Sequence, residues 1–251
     1  MIVLLTSLLI ATQNPLLTRA HSHTDYMQAR PLNEALDNGF NSVEVDVFPV
    51  EGKLLVSHNE KDIKPDKTIE SMYLDKLSAR AKANDGAIYA GSKETFWVLV
   101  DVKKKGAEAY ADLKAILDKY PELKPTKTNS KIRYVISGER AYKEIAADNG
   151  AYAGIDGRID DLEKHYSNAV MPWISGDWND FFPSAEDGSL SFLFKPLLEK
   201  MVNHIHEQNK IVRFWGSPDG PACWRRQWDA GVDLINTDNI ATLRTWILKQ
   251  R

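Results

Sequence analysis

The sequence predicts a single (β/α)8 barrel of the TIM type, and three observations lead there. Eight β-like segments alternate with helical ones along 251 residues, and a parallel sheet requires such a crossover after each strand. The hydrophobic content of 43% supports one sizeable core, and no Pro/Gly/Ser-rich linker divides the chain. No G-x-G-x-x-G follows the first strand, which leaves the doubly wound open sheet as the weaker alternative.

Met1–Ala11 (MIVLLTSLLIA) is apolar, too short for a membrane span and about right for the core of a secretory signal, although no Lys or Arg precedes it. Residues 1–13 are expected to be a signal or hydrophobic tail, residues 14–251 the barrel. The expected location is secreted or periplasmic, or cytoplasmic if the segment is no signal.

Pro15–Ala20 reads as strand one, delivering His21 at its end, with a short helix from Pro31 stopped by Gly39. Asn41–Phe48 is strand two. Its period of two sends Val43, Val45 and Val47 one way and Glu44 and Asp46 the other. In a closed barrel the valines meet the helices and the acids point inward. A turn at Val50–Lys53 starts a return run, Leu54–Ser57, ending at His58. Thr68–Ala83 has helical spacing, and Phe96–Val102 is the best buried strand, closing on Asp101 and Lys103.

The alternation continues with a helix at Ala107–Lys119, strand Ile132–Ser137, helix Glu139–Ala147 and strand Gly154–Asp156. Strand Ala169–Ser175, helix Phe192–Gln208, strand Ile211–Trp215, helix Pro221–Ala230, strand Val232–Asn236 and a last helix to Lys249 complete it.

Active sites of such barrels lie at the C-terminal ends of the strands. There His21, Glu44, Asp46, His58, Asp101 and Lys103 are expected to converge. Three carboxylates at such proximity repel, about 4 kcal/mol per pair at about 4 Å and an effective dielectric near 20. An all-oxygen set suits a hard divalent cation, Mg²⁺ or Ca²⁺; a shared proton or a salt-bridge cluster is the alternative. His21 and His58 frame the acid pair and suit proton transfer. His23 could be a ligand, a substrate contact or a loop residue. Arg213 and Trp215 share a face of strand seven, where they suit an anionic oxygen and a hydrophobic or cation-binding wall, or else packing and ion pairing. Trp173, Trp178, Phe181 and Phe182 suit either an apolar lip or local core, and His165, His204 and His206 read as structural or surface residues.

The net charge of −3 gives no electrostatic footprint for nucleic acid, and Cys223, the only cysteine, excludes a disulfide framework or thiolate metal site within one chain. No stable transmembrane anchor is expected.

These residues resemble the superfamily of phosphatidylinositol-specific phospholipases C and glycerophosphodiester phosphodiesterases. AHSH at Ala20–His23 is similar to its AHRG, SVEVDV at Ser42–Val47 to its IE.DV, and VSHN at Val56–Asn59 to its V.HD. GVDLINTDN at Gly231–Asn239 resembles its last strand. HSHTDY at His21–Tyr26, RPLNEAL at Arg30–Leu36 and TIESMYLDKL at Thr68–Leu77 resemble a branch, marked by HSHNDY, that includes fungal mitochondrial-inheritance proteins. Ser22 replaces an arginine, Thr24 an asparagine, and Asp101 a usual glutamate; VDVK and the pair Phe214–Trp215 look more like sphingomyelinase D relatives.

The resemblance implies a metal-dependent hydrolase of a glycerophosphodiester or phospholipid-derived substrate. It places the histidine pair on His21 and His58, and the metal on Glu44, Asp46 and Asp101. The alternatives are a phospholipase D or sphingomyelinase D-like lyase with Trp215 against a choline headgroup, and a non-catalytic barrel binding a phosphorylated ligand.

Overall fold

The computed structural model describes residues 14–125, 131–182 and 194–250. The expected signal segment, residues 1–13, lies outside them, as does the start of the helix expected from Phe192. The strands are β1 (Leu17–Ser22), β2 (Phe40–Val50), β3 (Lys53–Val56), β4 (Phe96–Val102), β5 (Ile132–Gly138), β6 (Gly154–Gly157), β7 (Trp173–Asp177), β8 (Ile211–Trp215) and β9 (Leu234–Thr237). Their order is β1-β9-β8-β7-β6-β5-β4-β2-β3, with β1 also paired to β2. That last pairing closes eight parallel strands into a barrel, and β3 is the antiparallel arm of a hairpin with β2.

Helices α1 (Asn33–Asp37), α2 (Asp75–Ala83), α3 (Gly106–Leu117), α4 (Tyr142–Ala147), α5 (Trp178–Phe181), α6 (Lys195–Glu207) and α7 (Pro221–Asp229) lie in the connections between strands, a 3-10 helix at Ile159–Lys164 joins β6 to β7, and α8 (Ile240–Leu248) follows β9. The outward valines Val43, Val45 and Val47, with Val98, Val100 and Val102 beside them, are buried in the main core. Each such side chain contributes roughly 1.5–3 kcal/mol by leaving water. The opposite face of the strands fills the barrel. Leu99, Val135, Trp173 and Leu234 form a separate apolar cluster there, with Trp97 and Ile211 packed on it. One step along the same strand faces come the charged residues, so the apolar layer floors the polar one.

Several boundaries differ from the expectation, among them the start of α1 at Asn33, of α4 at Tyr142 and of β9 at Leu234. β1 extends through His21 to Ser22 because it pairs on both sides, His21 opposite Ser42 and Asn236. β7 starts at Trp173, after Pro172, which has no N–H to give a ladder. The helix expected from Thr68 opens with a π-helical turn, Glu70–Leu74, before α2. No helix among the described residues is long and apolar enough to cross a membrane.

Candidate active site

Alternation along β2 puts Ser42, Glu44 and Asp46 on the inner face, and register carries it to the neighbours, with Asp46 opposite Asp101 on β4. Ligand oxygens of Glu44, Asp46 and Asp101 all lie within 4.8 Å of one another. Lys103 bridges two of them, Nζ standing 2.7 Å from Asp46 Oδ2 and 2.5 Å from Asp101 Oδ2. Burial opposes the charge on Lys103, but Asp101 and Asp46 outweigh it and raise its pKa. Asp101 is raised as well, first by burial, which Lys103 only partly offsets, and then by Glu44 and Asp46.

His21 is fully buried, with Nδ1 2.7 Å from Ser42 Oγ and Nε2 3.2 Å from Glu44 Oε2. Burial and then the charge of Arg213 push its pKa down to about 4, against the pull of Glu44, so the ring is neutral at neutral pH. Burial would raise Glu44, yet the Arg213 guanidinium and His21 hold its carboxyl well below the usual carboxylate range. Arg213 Nη2 donates to Glu44 Oε2 at 2.5 Å, and its Nε donates to Asn236 Oδ1 at 2.9 Å.

His58 returns to the site through the hairpin. Ser57 N donates to the Asp46 carbonyl at 3.2 Å, and His58 Nδ1 stands 2.9 Å from Asp46 Oδ2. Its side chain is 60% exposed, in contrast to His21. Tyr26 adds a third contact to the same carboxylate oxygen, its hydroxyl donating at 2.7 Å. A cavity of about 730 Å³ opens beside His58 and Tyr26, with Val56, Ile63 and Met72 among its apolar walls and Lys61, Lys64 and Lys67 around it.

His23 Nδ1 stands 2.9 Å from Asp238 Oδ1, and its Nε2 is 3.9 Å from Glu44 Oε1. The loop carrying it is tied down from inside by Asp25, which accepts from Ser22 Oγ at 2.7 Å, Leu32 N at 2.5 Å and Tyr73 Oη at 2.9 Å. Tyr73 reaches Asp25 from the π-helical turn.

The structure thus gathers His21, His23, Glu44, Asp46, His58, Asp101, Lys103 and Arg213 at one end of the barrel. Trp215 sits at the rim, its ring stacked by Arg158. Trp173 belongs to the barrel floor, and Trp178 and Phe182 pack with Phe214. His204 pairs with Glu207 and His206 with Asp233, both away from the site.

Sequence reasoning overlooked Ser42, Tyr26, Asp156, Arg158, Asn236 and Asp238. Ser42 was accessible, since it shares the phase of Glu44 and Asp46. Asp156 was too, as a polar residue inside an apolar strand; it is fully buried and accepts from Ser137 Oγ at 2.8 Å and from Ser175 Oγ.

The AIM6-like phosphodiesterase domain model matches residues 11–150, more than half of the chain, and a glycerophosphoryl diester phosphodiesterase family model matches residues 212–241. The altered inheritance of mitochondria protein 6 homolog of Arthroderma benhamiae is 25% identical over 88% of this chain and 81% of its own length. The altered inheritance of mitochondria protein 6 of Lachancea thermotolerans is also 25% identical over 88% of this chain, but the match spans 64% of that longer protein. A glycerophosphodiester phosphodiesterase crystal structure from Agrobacterium tumefaciens covers 92% of this chain and all of its own, with a TM-score of 0.55 at 16% identity, a likeness of fold.

The relatives' names tie them to the inheritance of mitochondria, and this overturns the secreted or periplasmic location expected from the N-terminal segment. The chain belongs to the AIM6-like phosphodiesterase domain family, within the larger superfamily of glycerophosphodiester phosphodiesterase-like barrels.

Proposed function

We propose that the chain is a metal-dependent hydrolase of a glycerophosphodiester or phospholipid-derived phosphodiester. The observation that carries the proposal is the meeting of three carboxylates with two histidines, each histidine bound to a different one of them.

The donor set fits a hard cation. All three ligands offer oxygen, Asp46 Oδ1 is buried with no hydrogen-bond partner, and an ammonium already bridges Asp46 and Asp101. Glu44, Asp46 and Asp101 would hold Mg²⁺ or Ca²⁺. When bound, the cation supplies positive charge to the non-bridging oxygens of the phosphate.

The chain's own residues supply the rest. His21 is neutral, with Nε2–H donating to Glu44 Oε2 and Nδ1 accepting from Ser42 Oγ–H; with Glu44 engaged by a cation, the other tautomer, Nδ1–H donating to Ser42 Oγ, would free Nε2 to accept a proton from a nucleophilic water or substrate hydroxyl. His58, with Nδ1 on Asp46 and an exposed ring, protonates the departing oxygen and exchanges with solvent. Lys103 and Arg213 add positive charge against the negative charge that develops on the phosphate, and His23 stands beside Glu44 at 3.9 Å. The cavity beside His58, with Val56, Ile63 and Met72 and three lysines among its lining, suits the arm of an anionic amphiphile.

The test is release of p-nitrophenolate from bis(p-nitrophenyl) phosphate by wild type, His21→Ala and Glu44→Gln, with Mg²⁺, with Ca²⁺ and with chelator. Wild type should turn over only with metal, and each variant should lose at least about 10²-fold. Equal rates in all three proteins would refute the reading.

A further inference from the structure

The aromatic wall expected of Trp215 is already covered. Arg158, the first residue after β6, lays its guanidinium over the Trp215 ring with Cζ 4.4 Å from the centroid. Fixed acceptors hold it there. Arg158 Nη1 donates to Asp156 Oδ2 at 3.0 Å and to the carbonyls of Asp156 and Gly157 at 3.0 and 3.1 Å. Nη2 lies 3.4 Å from Ser137 Oγ.

Asp156, fully buried, also faces Arg213 Nη1 at 3.8 Å, and Arg213 holds Glu44. Charge therefore alternates across the barrel mouth, Glu44, Arg213, Asp156, Arg158, and the series ends at the rim in a cation whose side chain is 30% exposed. Arg140 approaches from β5's end, donating to the Asp156 carbonyl at 3.1 Å and standing 3.7 Å from Asp161, which Lys164 also pairs. Among the described residues, the cations Arg140, Arg158, Lys164 and Arg213 thus pair with the carboxylates Glu44, Asp156 and Asp161.

A quaternary ammonium seeks an open aromatic face, because the ring quadrupole attracts it. Here a guanidinium occupies that face and presents like charge to an incoming choline. The same guanidinium, 30% exposed at the rim, has N–H donors beyond those its contacts with Asp156, Gly157 and Ser137 use, and these suit an anion.

We infer that Arg158, stacked on Trp215, selects the substrate's second arm: it admits phosphodiesters whose far end carries a phosphate or carboxylate and disfavours those ending in a quaternary ammonium. The inference rests on the phosphodiester hydrolase reading of the site. It assigns Arg158 a direct contact with the substrate arm, away from the reacting phosphate.

The test compares three p-nitrophenyl phosphodiesters with one leaving group and different second arms, ending in choline, in glycerol or in a phosphomonoester. Wild type with Mg²⁺ should give the highest kcat/KM for the phosphomonoester arm and the lowest for choline, at least about tenfold apart, the size of one charge-assisted contact. Arg158→Gln should bring the three within about threefold, and Arg158→Lys, which keeps the charge but not the stacked fork, should restore only part of the order. A wild-type preference for choline, or an order unchanged in Arg158→Gln, would overturn the inference.

Calorimetric binding of phosphocholine and of 1,3-propanediol bisphosphate to the same three proteins reads selection without turnover. The bisphosphate should bind wild type at least about tenfold more tightly and lose that advantage in Arg158→Gln. Equal affinities for wild type overturn the selection even if hydrolysis proceeds. Selective binding without hydrolysis of any ester supports it while removing the hydrolase reading.

Discussion

Lowering the pH of the metal-free protein from 7 to 5 is expected to cost stability through His21. In the unfolded chain its imidazole has the ordinary pKa of 6.5; in the fold it is pushed down to about 4, first by burial and next by Arg213. A depressed histidine pKa means that the unfolded chain takes up the proton first. The contribution is therefore fully present above pH 6.5 and is lost as pH falls toward 4. Over that window the linkage amounts to about 3 kcal/mol, of which about 2 kcal/mol is lost by pH 5. The assay is urea denaturation in chelating buffer at both pH values, for wild type and His21→Gln. The Gln variant starts less stable but lacks the titration, so its loss between pH 7 and 5 should be smaller by about 2 kcal/mol. His23 works the other way. Burial lowers its pKa, but Asp238 and Glu44 outweigh that and raise it, so its stabilisation grows as pH falls and is present in both proteins. Equal pH slopes in the two proteins would refute the claim that the buried ring is held neutral.

Further outcomes follow from named contacts. Asp25→Ala strands three donors and should cost about 2–4 kcal/mol by thermal unfolding, with Tyr73→Phe costing about 1 kcal/mol. Arg213→Met leaves Glu44 and Asp156 facing each other without their shared cation and should destabilise by about 3–5 kcal/mol in urea, a loss that the double variant Glu44→Gln/Arg213→Met reduces. Gly138 has φ +65°, and an added Cβ would overlap the Val102 carbonyl and Asp101 Oδ1; Gly138→Ala should cost about 1–3 kcal/mol and weaken Mg²⁺ binding measured by calorimetry. Saturating Mg²⁺ or Ca²⁺ at about 100 times Kd should stabilise wild type by about 2.7 kcal/mol, and Asp46→Asn should abolish that melting shift.

The barrel was legible because its signal is repetitive. Most strands are short and apolar, helical stretches separate most of them, and β2 displays its two faces through alternating valines and acids. The same period placed Glu44, Asp46 and Asp101 together, since parallel register preserves facing positions from strand to strand. What stayed hidden depends on distance in space. Tyr26 meets Asp46 across a loop whose path is set by buried Asp25, and no local pattern announces that acid as an anchor. Arg158 reaches Trp215 across β7, a contact between residues 57 positions apart. Boundaries moved where pairing overruled local preference, as when β1 took in His21 because strands on both sides accept it.

The β2–β3 hairpin has a consequence for how this barrel tolerates change. Its pairs run from Val50 with Lys53 down to Val47 with Val56, joined through Glu51 and Gly52, both at positive φ. His58 is placed by the lower pairs, and the turn above them never touches the site. One residue added to each arm at the tip lifts the turn by about 3.3 Å and leaves His58 beside Asp46. One residue added to the return arm alone slips the ladder and turns His58 to the opposite face. The crown of the barrel can therefore lengthen in matched steps, while parity keeps His58 where it is.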